Sequence, residues 1–360
     1  MTAPGAWPAV AAELIDHAVE AGTIPGAVLV AGRPGLEGDG PLLVHVAGDA
    51  QHDAAARRPM TADTVFDLAS LTKVTATLPG LLCLADLAEV GLDQPARRYL
   101  PEFAGPGKDQ VTVRHLLAHI SGLPAERKYY QRLSDPGQVR AAALAEPLVA
   151  APGSAFCYSD IGFIVLGELA AAVAGCGLDV LAQEAVFGPL GMTSTRFRPP
   201  AGWASRIAAT EPVGGVAKVG VVHDENAQAL GGVAGHAGLF GTAADLARYA
   251  VAWATGEGAP GAPFWKLRDE ALRCQTDGLG GRRGLGWGLR EDRWDNMGDG
   301  WPPTGAGHTG FTGTSLSVDP VTGLWAVLLT NAVHFGRGPE HSVVGLRKQV
   351  HAAVAAALAG

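Results

Sequence analysis

Apolar, strand-like runs stand at the two ends of this 360-residue chain, and a long, mostly helical stretch separates them. Near the N-terminus, Ala27-Val28-Leu29-Val30-Ala31 is a short continuous apolar run suited to a buried strand. Leu42 to Ala47 reads as its hairpin partner across a glycine-rich turn. Near the C-terminus, Gly284 to Leu289, Thr314 to Val318 and Leu324 to Thr330 alternate or run apolar, with turns such as Asp319-Pro320-Val321-Thr322-Gly323 between them. Helical patterns flank both groups: Pro8 to Ala21, with Val10, Leu14, Ile15 and Val19 on one side, and a final helix from about Glu340 to Leu358. Strands and helices at both ends predict an α+β fold, one antiparallel sheet assembled from the two termini. Residues 1–62 and 280–360 then form a sheet lobe, and residues 63–279 a mostly helical lobe.

Within that middle stretch the helix signals are local and specific. A helical segment opens at Ser70 and runs through Leu82, Leu84 and Leu87, with Gly91 as its stop. Pro79 must kink it or end its first part. Thr112 reads as the N-cap of Val113 to His119, and Gly122 as the glycine ending it. Ile161 to Val173 is an apolar helix, and Thr242-Ala243-Ala244-Asp245 resembles a capping box opening another.

Composition excludes several classes of function. A net charge of -8 and the lack of a basic stripe argue against nucleic acid as a partner. No apolar run reaches the ~18 residues of a membrane span, and the first residues lack the basic and apolar regions of a signal peptide. The expectation is a cytoplasmic protein with no membrane partner. Cys83, Cys157, Cys176 and Cys274 are scattered without metal spacing and read as free thiols. No G-x-G-x-x-G, no phosphate-loop lysine motif and no G-x-S-x-G elbow is present, and neither a cofactor nor a metal is expected.

Ser70-Leu71-Thr72-Lys73 opens the helical segment, and residues at i and i+3 share a helical face. A serine hydroxyl is a poor nucleophile at neutral pH, and an amine beside it in a partly dry site helps take its proton. An acyl-transfer site also needs a proton carrier and donors for the oxyanion. Tyr158, in Phe156-Cys157-Tyr158-Ser159-Asp160 just before a helix, is a candidate carrier. A phenol acting as a base near neutral pH needs cationic neighbours, and Lys73 is one. His308-Thr309-Gly310 precedes Phe311-Thr312-Gly313-Thr314 and a strand. Glycine there lets a substrate lie close to the strand, where backbone N–H groups bind a developing oxyanion.

S-x-x-K, then Y-S-D, then H-T-G, in that order, resembles the serine β-lactamase and penicillin-recognising superfamily, nearest its class C β-lactamase-related serine hydrolases of the family VIII esterase type. Phe66 to Lys73, Val111 to Pro124 and Gly238 to Ala243 resemble further blocks of that family. The resemblance implies the two-lobed serine β-lactamase-like (DD-peptidase) fold with its site in the cleft between the lobes. It implies Ser70 as the nucleophile that forms an acyl-enzyme, Lys73 as the group that eases its deprotonation, and Tyr158 as the proton carrier. It also implies the N–H groups of Ser70 and Phe311 as the oxyanion hole, with Asp160, His308, Thr309 and Gly310 lining the pocket and His236 as a further substrate-side residue.

Two positions depart from the lactamase form. His308 stands where a lysine would hold a substrate carboxylate, and an unperturbed histidine is charged only below about pH 6.5. Asp160 stands where an asparagine amide would donate, and a carboxylate cannot donate. Both suit a small-molecule ester or amide acyl donor better than a β-lactam. The expected activity is a serine hydrolase of that class. A transacylase passing the acyl group to an amine or alcohol, a D-alanyl-D-alanine carboxypeptidase or class C β-lactamase, and a non-catalytic penicillin-binding-like scaffold are the alternatives. His115 and His119 have i, i+4 metal spacing but no evident third ligand, and read as structural. His223, Asp224 and His236 cluster around a glycine-rich loop, and His334 follows the last strand, with loop-shaping bonds as their default role.

Overall fold

The computed structural model describes residues 7–34, 43–53, 56–256 and 266–358. Leu42 and most of the expected glycine-rich turn lie outside them. A seven-stranded antiparallel sheet forms the base of the molecule. Its strands run, in spatial order, Arg57–Pro59, Leu43–His52, Gly26–Gly32, Trp325–Thr330, Ser315–Val318, Ala306–Thr309 and Gly288–Leu289. Chain ends meet at its centre, where Leu29 pairs with Leu328 and Ala27 with Thr330.

These two central strands are buried on both faces, which is why they read as unbroken apolar runs. Ala27, Leu29, Ala31, Ala326 and Leu328 face the terminal helices Trp7–Glu20 and Val344–Leu358, which pack against each other. Val28, Val30, Val327 and Leu329 face the larger core, with the helix Ala243–Thr255 and the indoles of Trp253 and Trp287. The buried stripe of the first helix is Ala11, Ile15 and Ala18, whereas Val10, expected inside, is 52% exposed. Small alanines let the two terminal helices approach closely, and Val10 falls off that seam.

The C-terminal helix also packs polar groups against the sheet. His351 is fully buried, with its Nε2 3.0 Å from Ser315 Oγ. Burial, with the Arg347 cation nearby, pushes its imidazolium down to about 3. Unfolding lets this ring take a proton below about pH 6.5, so stability present above that pH is lost as pH falls toward 3. At pH 5 the contribution lost is on the order of 2 kcal/mol. The His351→Gln variant, which keeps a polar end near Ser315, is expected to lose correspondingly less stability between pH 7 and pH 5 in urea titrations.

Several expected boundaries shift for local reasons. Lys73–Thr77 forms a π-helical turn that runs directly into the helix Leu78–Asp86, and Pro79 sits just past the junction. The helix stops at Ala88, with φ +62°, rather than at Gly91. The final helix begins at Val344, four residues later than expected. A small sheet of Val65–Asp67, Leu239–Thr242 and Arg196–Phe197 carries the chain into Ser70. No single helix among the described residues is long and apolar enough to cross a membrane.

Candidate active site

Ser70 stands directly after a strained turn. Ala69 has φ +46°, a region that residues with a Cβ rarely adopt. Asp67 holds this turn, with its Oδ1 accepting the Ala69 N–H at 2.9 Å and its Oδ2 the His223 N–H at 2.6 Å. From the other side, Thr312 Oγ1 donates to the Asp67 carbonyl at 2.7 Å and Thr314 Oγ1 to the Leu68 carbonyl at 3.2 Å. A Cβ at Gly310 would run into Thr314 Oγ1 and the Leu68 carbonyl, so glycine is what lets the two segments close. The turn before the serine and the turn after the His308 strand are thereby one bonded unit. Neither the Ser70 N–H nor the Phe311 N–H donates a hydrogen bond to another described residue.

One helical turn on from Ser70, the fully buried Lys73 directs Nζ to Ser70 Oγ at 2.9 Å and to the His236 carbonyl at 3.0 Å. Asp160 Oδ1 lies 2.7 Å from the same nitrogen and forms an ion pair with it. Burial alone would lower the Lys73 ammonium, but Asp160 and Tyr158 outweigh it and raise it above its ordinary value. Lys73 is therefore a cation at neutral pH. It lies 5.0 Å from the centre of the Tyr158 ring.

Asp160 is the first residue of the helix Asp160–Ala174, whose N-cap Ser159 accepts the Gly162 N–H at 3.0 Å. This start places Asp160 against Lys73 as its counter-ion, with 26% of its side chain exposed.

The cleft, about 610 Å³, is lined by Ser70, Tyr158, Thr309, Gly310, Phe311 and the edge of His308. His308 pairs with Leu316 across the sheet, so it shares the face turned toward the larger core. Burial, with Lys73 and Arg283 nearby, pushes its imidazolium well below the ordinary histidine range. The ring is neutral, not merely uncharged above pH 6.5. Its Nδ1 donates to the Thr309 carbonyl at 2.9 Å, and the buried Nε2 has no partner among the described residues.

The other histidines are engaged elsewhere. His236 Nε2 lies 2.9 Å from Asp224 Oδ1, and its carbonyl touches the site through Lys73. Burial would raise the Asp224 carboxyl, but His236 and the Ala227 N–H hold it well below its usual range. His223 pairs with Glu211 at 3.0 Å and stacks on the Phe311 ring, centroids 5.8 Å apart. His334 accepts the His52 N–H and bonds the Thr210 carbonyl, tying chain to chain. His115 forms the capping box with Thr112. Burial pushes the Cys157 thiol up, away from a reactive thiolate.

Three residues with no sequence signal complete the walls. Arg283 is buried against Asp292 at 3.0 Å, its guanidinium 5.8 Å from the Tyr158 ring and 5.2 Å from Trp294. Trp294 is 48% exposed at the cleft. Arg347 reaches in from the C-terminal helix and donates through Nη2 to the Gly310 carbonyl at 2.6 Å and the Thr314 carbonyl at 2.9 Å, with no carboxylate partner among the described residues.

The chain matches the Beta-lactamase family over residues 11–345. It is 32% identical over 306 residues to the "Putative D-alanyl-D-alanine carboxypeptidase" of Escherichia coli (strain K12), covering 76% of this chain and 70% of that protein. Its structure is similar to that of EstCE1, a hydrolase with promiscuous acyltransferase activity, with a TM-score of 0.76, 24% identity and coverage of 99% and 100% of the two chains. It is also similar to a class C beta-lactamase, with a TM-score of 0.75, 21% identity and coverage of 95% and 94%. At those identities the structural likenesses speak for the fold alone. A family match across nearly the whole length, together with the carboxypeptidase relative, decides the assignment: the chain belongs to the Beta-lactamase family, whose members are serine hydrolases.

Proposed function

We propose that the protein hydrolyses a carboxylic ester or amide through an acyl-enzyme on Ser70. The observation that carries this reading is the buried Lys73 ammonium at 2.9 Å from Ser70 Oγ, in a cleft that also holds Tyr158 and the free N–H groups of Ser70 and Phe311. Tyr158, flanked by Lys73 and Arg283, takes the Ser70 proton as Oγ attacks the acyl carbon. The two N–H groups receive the oxyanion. As the tetrahedral adduct collapses, the bond to the leaving group breaks and Tyr158 returns the proton to it. Water, or an amine or alcohol acceptor, then adds to the acyl carbon of the ester on Ser70 and gives its proton to Tyr158; the bond to Ser70 Oγ breaks, Tyr158 returns the proton to Oγ, and the product leaves.

The walls suit an acyl group without a carboxylate. His308 is neutral, and the Asp160 charge is matched by Lys73. The exposed rings of Trp294 and Phe311 offer apolar surface on the cleft. One observation favours a second reading: Arg347 is a cation at the cleft without an acidic partner among the described residues, which a carboxylate-bearing donor such as a D-alanyl peptide or β-lactam would meet. A comparison of p-nitrophenyl acetate, a D-alanyl-D-alanine peptide and a cephalosporin separates the two. The ester is expected to show a kcat/KM at least about tenfold above either carboxylate donor, the size of about 1.4 kcal/mol of transition-state preference. A peptide or cephalosporin turned over faster than the ester would reverse the assignment.

A further inference from the structure

His119 touches three consecutive residues centred on Tyr158. Its carbonyl accepts the Cys157 N–H at 2.9 Å, and its Nδ1 accepts the Ser159 N–H at 3.0 Å. Between those two bonds its ring lies along the Tyr158 ring, with centroids 4.5 Å apart and planes inclined by 32°. Phe163 packs near the imidazole as well, at 5.0 Å.

The backbone at this position is special. The helix Val113–Leu117 has already ended, and His119 has φ +60°, the left-handed region that few residues with a Cβ occupy. The expectation that the helix runs through His119 to a stop at Gly122 is corrected here. His119 leaves the helix, and its carbonyl and its ring both meet the segment 157–159.

Because Nδ1 accepts, the proton of the neutral ring is on Nε2. Burial, with the cations of Arg283 and Lys73 and the ring of His308 nearby, pushes the imidazolium well below its ordinary range, so the accepting lone pair is present at neutral pH. Phenylalanine could lie against Tyr158 but could not accept. Asparagine could accept and tolerates the left-handed backbone, but could not stack. Histidine does all three.

We propose that His119 is a positioning residue that clamps residues 157–159 and so sets where the Tyr158 phenol stands relative to Ser70 and Lys73. The inference rests on Tyr158 being the proton carrier, as read above. Its test is a set of variants assayed on p-nitrophenyl acetate, with thermal melts to show that each is folded. The His119→Phe variant is expected to lose about 30-fold in kcat with KM within about threefold, as a misplaced catalytic group does. The His119→Asn variant, which restores the acceptor, is expected to recover to within about fivefold of the parent.

The decisive comparison is a double-mutant cycle with Tyr158→Phe. If His119 acts through the phenol oxygen, His119→Phe adds little further loss once that oxygen is gone. A full 30-fold loss in the Tyr158→Phe background, or a His119→Phe enzyme with parental kcat, overturns the clamp. A Tyr158→Phe enzyme turning over at the parental rate removes the proton role of Tyr158 itself, and the clamp with it; that outcome is read from the single variant, before His119 is touched.

Discussion

The Ser70→Ala variant is expected to lose ester turnover by about 10⁵-fold or to the assay floor, because a nucleophile and its proton partners act as one unit and little chemistry survives without the attacking atom. The same change is expected to leave the fold almost untouched. Lys73 is the side chain bonded to Ser70 Oγ, and it keeps the His236 carbonyl and Asp160 when the hydroxyl is removed. A shift in unfolding free energy within about 1 kcal/mol is the size of one such hydrogen bond. Activity and stability therefore separate at this position, and urea titration beside the ester assay checks both. An alanine variant that is folded and still turns over the ester at the parental rate would remove the nucleophile from the account.

Lys73→Met behaves differently, because this side chain holds the site together as well as serving it. The methionine fills much of the same volume but offers no charge to Ser70, Tyr158 or Asp160. Turnover is expected to fall by roughly 10³-fold, within the range of general acid–base contributions. Stability is expected to fall too, since Asp160 loses its counter-ion. The cost is about 1–3 kcal/mol, below that of a fully buried pair because the Asp160 side chain keeps 26% of its surface exposed. The two effects come apart in a double variant. Lys73→Met with Asp160→Asn is expected to regain most of the stability and none of the turnover. If the double variant recovered activity, the ammonium would have no part in the chemistry.

What was legible in the sequence was whatever neighbours along the chain decide. Ser70 and Lys73 lie on one turn, Thr112 caps the residues that follow it, and the central strands announce themselves as apolar runs because both their faces are buried. The fold class followed from the placing of those runs, and the family match over residues 11–345 agrees with it. Less was visible wherever partners are distant. The strand Ala306–Thr309, which carries His308, is four residues long beside glycines, and its pairing with Ser315–Val318 and Gly288–Leu289 is what makes it a strand. Asp160 belongs to the Y-S-D motif, yet only the fold shows that it pairs with Lys73, 87 positions away (160 minus 73).

Arg283, Trp294 and Arg347 had no periodicity or motif to mark them. Arg283 sits in a glycine-rich loop and meets Tyr158 only in space. Arg347 belongs to a terminal helix that reads as ordinary amphipathic surface, and its reach to the carbonyls flanking Phe311 depends on the sheet register. His236 contributes to the site through its backbone as well as through the loop-shaping bond of its ring. Its ring is occupied by Asp224, and the backbone oxygen supplies the contact that positions Lys73. Side-chain chemistry can be read from residue type; a carbonyl's role cannot, because every residue has one.

The central claim is an acyl-enzyme on Ser70, and intact-protein mass spectrometry of samples quenched in acid during turnover of p-nitrophenyl acetate tests it most directly. The account predicts one acetyl group on the parental chain, mapped by peptide digestion to Ser70 and absent from the Ser70→Ala variant. An unmodified mass during sustained turnover, or an acetyl group that maps to another residue, would contradict it.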